Sequence, residues 1–325
     1  MKIVFMGTSE FALPTLRELI RSEHEILSVV TQPDRHKGRG QELSPPPVKI
    51  FAQESDIPVL QPENANTPEF IDTLKRLNPD INIVVAFGQI LRRELLETPK
   101  LFCMNLHASI LPKYRGAAPI NRAIINGEKE TGVTTMKMDE GLDTGDILLT
   151  RTIPIEEADD SKTLHDKLAE EGGNLVLQTL WHFGEQTLIP VPQDNSRSSY
   201  APKLKKKDGL IPWSQTADEI KNLIRGLKPW PGAYTFYKNK RLRILKSQTI
   251  PGDRVDPPGE IVRLSDFGIE VGTGKNRIAI TELQPEGKKA MSVKNFLAGH
   301  TVNKGDHFET CISPETSNNQ KGTHA

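Results

Sequence analysis

The sequence predicts an α/β protein in which a doubly wound, mostly parallel sheet is followed by a small β-barrel. Three observations support this prediction. The first 180 residues alternate short, β-branched apolar runs with helical patterns, as in a parallel sheet covered by helices on both faces. The chain has 325 residues, more than the roughly 250 to 300 at which a single core stops growing. Beyond residue 208, short strand patterns are separated by Gly and Pro turns.

The elements of the first domain follow from apolar periodicity. Short β-branched runs predict strands at 3–6, 26–31, 81–87, 104–107 and 133–138. Helical spacing of apolar residues predicts helices at 10–21, 48–54, 68–77 and 117–126, with a closing helix over 164–183. The sequence therefore predicts a first domain over residues 1–184.

The later part of the chain has a different composition. Residues 185–207 are rich in Pro, Ser, Gln and Lys without a sustained period, and are predicted to be an extended linker. A helix is predicted over 213–227, followed by strands at 233–237, 242–245, 259–264, 268–271 and 277–283. This pattern predicts a barrel over residues 208–311 like that of the oligonucleotide-binding (OB) fold. Residues 312–325 are predicted to be a disordered tail.

Composition argues against several classes of protein. Hydrophobic residues make up 36% and charged residues 26% of the chain, and no apolar run approaches the roughly 20 residues that cross a bilayer. The first residues predict a buried strand instead of a signal peptide. The two cysteines, Cys103 and Cys311, form no metal-binding pair or disulfide framework. We therefore expect a cytoplasmic protein without a membrane segment or a metal. A full G-x-G-x-x-G motif is absent, so a dinucleotide cofactor has little support.

Charge is unevenly distributed along the chain. The whole sequence is neutral, with 42 basic and 42 acidic residues. Residues 203–246 nevertheless contain twelve Lys or Arg against three acids, a net charge of +9 that the rest of the chain balances. This asymmetry indicates a polyanionic partner for the later part of the chain.

The residues that carry chemistry lie in two short stretches. Asn105 and His107 are two apart on a predicted strand, so their side chains share a face. Asp143 lies in the loop Gly-Leu-Asp-Thr-Gly-Asp that follows another predicted strand. An amide can hold a carbonyl oxygen, an imidazole can exchange a proton, and a carboxylate can orient the imidazole. Both stretches follow predicted strands, whose carboxyl ends are where such sheets bind ligands. Together they predict an acyl-transfer site.

Each of these residues also has a structural interpretation. A single histidine is more often structural than catalytic, and an aspartate between glycines often caps backbone amides. A calcium loop is excluded because the alternate oxygen ligands and closing Glu are absent. Leu111 and Pro112 offer an apolar ledge for a flat ring, but equally suit a turn that packs on its own sheet. Cys103 is expected to be a small core residue.

Longer motifs around these residues resemble those of the methionyl-tRNA formyltransferases, a family within the 10-formyltetrahydrofolate-dependent transformylases. The similarity runs from Lys2 to about Phe308. Its motifs are Asn105-x-His107, the stretch from Ser109 to Ile120, and the stretch from Met138 to Asp146. The triple alone indicates only the broader group. Arg-Gly-Ala-Ala-Pro-Ile at 115–120, Gln-Pro-Asp-Arg at 32–35, Gly-Arg-Gly at 38–40 and the late Lys-Pro-Trp-Pro and Gly-Lys-Lys-Ala-Met stretches point to the tRNA enzymes.

The resemblance implies transfer of a formyl group from 10-formyltetrahydrofolate, as cosubstrate, to the amino group of methionyl initiator tRNA. Asn105, His107 and Asp143 then carry the acyl transfer, with no metal. It also implies folate contacts, in two places. They are Ser109, Ile110, Leu111 and Pro112 in the turn, and Phe87, Gly88, Gln89 and Ile90 at the end of a strand. Ile110 stands where the family usually has Leu, a swap that conserves volume. Arg92 replaces the usual Pro, which leaves the local loop path open.

Two basic stretches are candidates for binding tRNA. The family resemblance implies that the loop with Arg35, Lys37 and Arg39 meets the acceptor end, where an Arg can stack on a base or bridge phosphates. Lys203, Lys205, Lys206 and Lys207 form a possible phosphate track. A mobile loop and a solvated linker are the structural alternatives. Five aromatic residues form either a stacking platform or barrel core: Trp213, Trp230, Tyr234, Phe236 and Tyr237.

Two other functions remain open at this point. The same triple could transfer a formyl group to a sugar amine or a ribonucleotide amine, which would need neither the basic barrel nor the Arg39 loop. A noncatalytic RNA-binding protein built on a degenerate enzyme is the second alternative, and the intact triple argues against it. The protein is expected to act as a monomer.

Overall fold

The computed structural model describes residues 1–37, 42–252 and 256–311, and of Lys37 only the backbone. Arg39 and the predicted tail 312–325 lie outside the described residues. The chain divides into two compact units. Unit 1 consists of Met1–Ile120, Lys129–Glu156 and Thr163–Pro202, and unit 2 of Asn121–Glu128, Glu157–Lys162 and the chain from Lys203 onward. No helix in the described ranges is both long and apolar enough to span a membrane.

Eleven strands are described before Lys203. They are β1 (Lys2–Gly7), β2 (Glu25–Val30), β3 (Arg35–Lys37), β4 (Glu42–Ser44), β5 (Val59–Leu60), β6 (Ile81–Val85), β7 (Cys103–His107), β8 (Arg115–Gly116), β9 (Glu130–Lys137), β10 (Ile147–Pro154) and β11 (Tyr200–Ala201). The helices of this part are α1 (Leu13–Arg21), α2 (Pro47–Glu54), α3 (Pro68–Leu77), α4 (Arg93–Leu96), α5 (Pro119–Ile125) and α6 (Ser161–Gly184).

Seven of these strands form one sheet in the order β5-β2-β1-β6-β7-β9-β10. The five strands from β5 to β7 are parallel, which confirms the predicted mostly parallel sheet. The order reverses between β1 and β6, as in doubly wound sheets. β9 runs antiparallel to β7. The Asp143 loop follows β9 and therefore starts at the end of the sheet opposite to the carboxyl end of β7, because the two strands are antiparallel.

Burial explains why the central strands form. Ile3, Val4, Phe5 and Met6 of β1 are all fully buried, as expected for a strand covered on both faces. Gly7 ends this strand where a side chain has no space, since a Cβ there would lie 2.8 Å from the Phe5 ring. The packing therefore requires glycine at the switch point between β1 and β6.

Residues 185–202, within the predicted linker, are fixed to unit 1. β11 pairs in parallel with β8. Val191 exchanges two backbone hydrogen bonds with Ile147, of 2.8 and 2.9 Å. A short 3-10 turn, Asn195–Arg197, lies between these two attachments. This segment therefore follows a defined path past the start of β10.

Unit 2 is built around an antiparallel sheet. Its elements are α7 (Ala217–Gly226), β12 (Tyr234–Tyr237), β13 (Lys240–Ile250), β14 (Ile261–Ser265), β15 (Gly268–Gly272), β16 (Arg277–Pro285), β17 (Met291–Ser292) and α8 (Val293–Gly299). The strand order is β12-β13-β16-β15-β14, with β17 also on β16. Residues 306–309 then bridge its two edges, because Glu309 pairs with Phe236 and Phe308 bonds to Gly259. These bridges close the sheet, in agreement with the predicted small β-barrel.

Helix α7 begins later than the sequence predicts. Thr216 caps α7, since its backbone N–H donates to the Glu219 carboxylate at 2.8 Å and its hydroxyl accepts from the Glu219 N–H at 3.2 Å. Trp213 instead packs in the barrel core with 3% exposure and donates to the Thr235 hydroxyl. The prediction of one helix from 213 to 227 missed this capping box.

Candidate formyl-transfer site

Strand β7 places Asn105 and His107 at the centre of the sheet. Asn105 lies between Val84 of β6 and Met136 of β9. His107 is 7% exposed, whereas Asn105 is half-buried. The Asn105 amide makes no hydrogen bond to any other residue in the described part of the chain. Its amide is therefore available for a ligand next to a buried imidazole.

The His107 ring is oriented from both sides. Its Nε2 lies 2.7 Å from the carbonyl oxygen of Tyr114, and a carbonyl only accepts, so Nε2 carries a proton. Nδ1 lies 3.6 Å from Oδ1 of Asp143. This separation is longer than a hydrogen bond, so Nδ1 is the ring nitrogen left to exchange a proton, with a carboxylate beside it.

The turn after β7 aims the Tyr114 carbonyl at His107. The buried Ser109 hydroxyl donates to the same carbonyl at 2.9 Å. Thr134 in turn donates to the Ser109 carbonyl at 2.7 Å and accepts from the Leu111 N–H at 3.3 Å. Ser109 and Leu111 are thus buried and shape the turn, whereas Ile110 and Pro112 are partly exposed. Sequence reasoning missed Tyr114 and Thr134, because backbone carbonyls and a strand threonine carry no motif.

Asp143 reaches this site although its loop starts at the far edge of the sheet. The loop between β9 and β10 folds back along the hairpin. The backbone N–H of Gly116 donates to Oδ2 of Asp143 at 2.8 Å, while Oδ1 faces His107. Asp143 has a φ of +54°, a left-handed conformation that is uncommon for a non-glycine residue. The structure therefore brings together the predicted imidazole and carboxylate.

Residues 87–90, at the end of β6, form a second wall of the candidate site, in which some side chains are buried and others are exposed. Phe87 is buried in the core of unit 1, and its carbonyl accepts from the Thr8 hydroxyl at 2.7 Å. The Gln89 amide bonds to the backbone of Pro62, Glu63 and Ala65. Ile90 is 80% exposed, and Gly88 has a φ of +88°. Phe87 and Gln89 thus hold the wall in place, and Gly88 and Ile90 are open to a ligand.

The Asn66 side chain determines the path of the loop around Arg92. The Asn66 side chain accepts from the Arg92 N–H at 2.8 Å and donates to the Ile90 carbonyl at 2.9 Å. Arg92 itself is the N-cap of α4, in an extended conformation. One asparagine therefore fixes the loop where a proline would otherwise restrict it.

The basic residues are exposed where they are described. Arg35 lies on β3, which pairs with β4, and donates to the Gln32 side-chain oxygen at 3.3 Å. In unit 2, Lys203, Lys205, Lys206 and Lys207 are all exposed, and none forms an ion pair with a described residue. The last two belong to a 3-10 turn, Lys206–Gly209, which the Asp208 carboxylate caps through the Lys205 N–H.

The aromatic residues divide between core and surface. Trp213 and Tyr237 are buried in the barrel core. Trp230 is 51% exposed, and Tyr234 is half-covered by the Arg241 guanidinium 3.9 Å above its ring. The five predicted aromatics therefore do not form one platform.

Cys103 lies on β7 but is not poised to react. It is 1% exposed, and burial raises the pKa of its thiol to about 12. The thiolate is the nucleophilic form of cysteine, so Cys103 fills core space. Over the described ranges, no three His, Cys, Asp or Glu side chains are grouped so as to hold a metal ion.

Comparison with known proteins agrees with this geometry. The family described as formyl transferase matches residues 1–180, and the formyl transferase C-terminal domain matches residues 203–301. The chain therefore belongs to the formyl transferase family.

Within the family, curated relatives of similar length have a narrower name. The methionyl-tRNA formyltransferase of Citrifermentans bemidjiense is 52% identical over 305 residues, covering 94% of this chain and 95% of the relative. That of Caldanaerobacter subterraneus subsp. tengcongensis is 51% identical over 306 residues, covering 94% and 99%.

Solved structures share the fold at lower identity. WlaRD, a sugar 3N-formyl transferase solved in the presence of dTDP and 5-N-formyl-THF, has a TM-score of 0.65 and 21% identity over 89% of this chain and 99% of that one. An N-formyltransferase from Helicobacter canadensis, solved with folinic acid and dTDP-3-aminofucose, has a TM-score of 0.66 and 22% identity over 88% and 99%.

Proposed function

We propose that this chain transfers the formyl group of 10-formyltetrahydrofolate to the amino group of methionyl initiator tRNA, and that Asn105, His107 and Asp143 carry the reaction. One observation supports this most directly. A buried imidazole lies 3.6 Å from a carboxylate, beside an open amide, in a chain about half identical to named methionyl-tRNA formyltransferases.

The reaction makes one bond and breaks one. The methionyl nitrogen attacks the formyl carbon, the bond from that carbon to N10 breaks, and the proton lost by the amine ends on N10. An ordinary α-amino group has a pKa of about 7.7 to 8.0 and is largely protonated at neutral pH. The amine must therefore lose a proton before or during attack.

Each member of the triple has a separate task. The Asn105 amide donates to the formyl oxygen as negative charge develops on it. His107 exchanges the proton through Nδ1, since Nε2 is held by the Tyr114 carbonyl. Asp143 stabilises the charged imidazole and fixes its direction. The folate ring lies against the open residues Gly88, Ile90, Ile110 and Pro112, on walls that Phe87, Gln89, Ser109 and Leu111 hold.

The basic residues bind the RNA. Exposed lysines without an intramolecular partner displace counterions from phosphates, which gives affinity without base recognition. Lys203, Lys205, Lys206 and Lys207 have this character in the described structure. Arg35, Lys37 and Arg39 meet the acceptor end. The protein acts as a monomer in the cytoplasm.

A panel of acceptor amines tests this function. The purified protein is supplied with 10-formyltetrahydrofolate and, separately, methionyl initiator tRNA, methionyl elongator tRNA, free methionine and a dTDP-linked amino sugar. We expect rapid product with the initiator tRNA and little with the other three. Preferred transfer to the amino sugar would contradict the proposed acceptor. Binding of tRNA without transfer to any amine would contradict catalysis.

A further inference from the structure

The Gln193 side chain connects the segment after α6 to the loop that carries Asp143. Its Nε2 donates to the carbonyl of Asp143 at 2.8 Å and to the carbonyl of Gly145 at 2.7 Å. Its Oε1 accepts from Arg115 Nε at 3.1 Å and from Arg115 Nη2 at 2.8 Å. The residues joined by these hydrogen bonds, Gln193, Asp143, Gly145 and Arg115, all lie in unit 1. One amide therefore joins the loop to the residue that precedes Gly116.

This connection matters because of what holds the Asp143 carboxylate. The Gly116 N–H donates to Oδ2 of Asp143 at 2.8 Å. Gln193 thus fixes both the backbone of Asp143 and the neighbour of its hydrogen-bond donor. Asp143 has a φ of +54°, and such a conformation persists only when surrounding contacts hold it. The paired residues Val191 and Ile147 secure the same segment two residues before Gln193.

We propose that Gln193 is a positioning residue for formyl transfer, which keeps the Asp143 carboxylate directed at His107. This inference rests on the proposed roles of Asp143 and His107. Gln193 acts through the loop, because its contacts are to backbone carbonyls and to Arg115.

The replacement Gln193→Glu keeps the hydrogen-bond acceptor of the side chain and removes its donor. The glutamate keeps an oxygen for Arg115 but sets an acceptor against the carbonyls of Asp143 and Gly145. We expect kcat to fall about 10- to 100-fold, the effect of a small misplacement of a reacting group. KM for the folate and for the tRNA should stay within about threefold. Should this variant not fold, Gln193→Met, which keeps the chain length without the amide, carries the same expectation.

Asn195→Ala is the matched control. Asn195 is exposed and accepts from Arg115 Nη2 at 2.8 Å, so its removal loosens Arg115 without touching the donors of Gln193. Its kcat should stay within twofold of wild type. A kcat within twofold of wild type for Gln193→Glu, or an equal loss in Asn195→Ala, would overturn the proposal.

A double-mutant cycle with Asp143→Asn tests whether Gln193 acts through Asp143. If it does, adding Gln193→Glu to Asp143→Asn leaves the residual rate unchanged. Losses that multiply would show separate structural damage and overturn the inference. The cycle compares rates on whichever amine the wild type accepts. Transfer to a different acceptor would therefore refute the proposed substrate. The double-mutant cycle, measured on that acceptor, would still decide the role of Gln193.

Discussion

The single residues of the candidate site are held to different degrees. His107 faces oxygens at both ring nitrogens, Asp143 is bonded through Oδ2, and Asn105 has no described partner for its amide. Hydrogen bonds within the protein hold the first two, and under the proposed function the formyl oxygen is the partner of the third. We therefore expect the three removals to differ in their effect on the stability of the protein and to be similar in their effect on turnover.

The first prediction concerns His107 and Asn105. We expect His107→Ala to lower kcat by about 10² to 10⁴-fold, the range for positioned proton transfer, and Asn105→Ala by about 10² to 10³-fold, the range for one oxyanion donor. Steady-state formylation of methionyl initiator tRNA at saturating substrate measures both losses. Folate binding, followed by fluorescence, serves as the folding control. Near wild-type turnover in either variant removes that residue from the mechanism.

The second prediction concerns Ser109, whose buried hydroxyl donates to the carbonyl that orients His107. Ser109→Ala should lower the free energy of unfolding by about 1 kcal/mol, the usual contribution of such a hydrogen bond. Urea unfolding of both proteins measures the difference. Ser198→Ala, which removes an exposed hydroxyl bonded to the Asn195 carbonyl, should cost less. Equal stability of Ser109→Ala and wild type would show that this bond contributes nothing.

At the scale of elements, local composition predicts most of the fold. Buried strands such as β1 and β6 have short runs of mostly apolar residues, and α3 is predicted with the bounds Pro68–Leu77 that the structure shows. The direction of a strand is not predicted in this way, because an antiparallel β9 has the same composition as a parallel one. The arrival of Asp143 beside His107 follows from the path of a hairpin loop, which no periodicity encodes. The closing segment 306–309 was missed because two short bridges leave no strand pattern.

The third prediction concerns the capping box of α7. Hydrogen bonds from the Thr216 backbone and hydroxyl hold the pKa of the Glu219 carboxyl below its usual value. A lowered folded-state pKa stabilises the protein above the unfolded-state pKa, and the contribution is lost as pH falls through the folded-state value. Glu219→Gln should therefore be less stable than wild type at pH 7, with the difference shrinking as the pH falls below the ordinary Glu pKa of about 4.3.

Urea unfolding at several pH values measures this difference. The control is Glu54→Gln, since Glu54 is exposed and makes no hydrogen bond or ion pair with a residue that the structure describes. Because no described hydrogen bond is lost, Glu54→Gln should lower the free energy of unfolding at pH 7 less than Glu219→Gln does. A constant difference for Glu219→Gln between pH 7 and acid would contradict the assigned role.

At the scale of the whole molecule, the main feature is the distribution of charge. A neutral chain carries a net charge of +9 over residues 203–246, and the exposed lysines within 203–207 lie at the start of the longest segment of unit 2. Such a distribution favours a polyanionic partner for this segment although the chain as a whole is neutral. The sequence alone predicts this charge, because the charge is a count of ionisable residues and does not depend on the fold.

The fourth prediction follows from that charge. Replacing Lys203, Lys205, Lys206 and Lys207 with Gln should weaken tRNA binding and reduce the salt slope by up to about 0.9 for each lysine that contacts a phosphate. KM for the folate should not change. A control with the same charge change replaces four exposed lysines of unit 1, Lys2, Lys75, Lys100 and Lys167. The phosphate track is rejected if both variants show the wild-type slope.

The central claim is that one amide, one imidazole and one carboxylate move a formyl group onto the amine of an RNA-bound methionine. It is tested most directly with 10-formyltetrahydrofolate that carries ¹³C in the formyl group. After a single turnover on methionyl initiator tRNA, the amino acid is hydrolysed from the tRNA and its mass is measured by mass spectrometry. We predict ¹³C-formylmethionine from the wild type and almost none from His107→Ala at equal folate occupancy. Unlabelled methionine from the wild type, or full labelling by His107→Ala, would contradict the account.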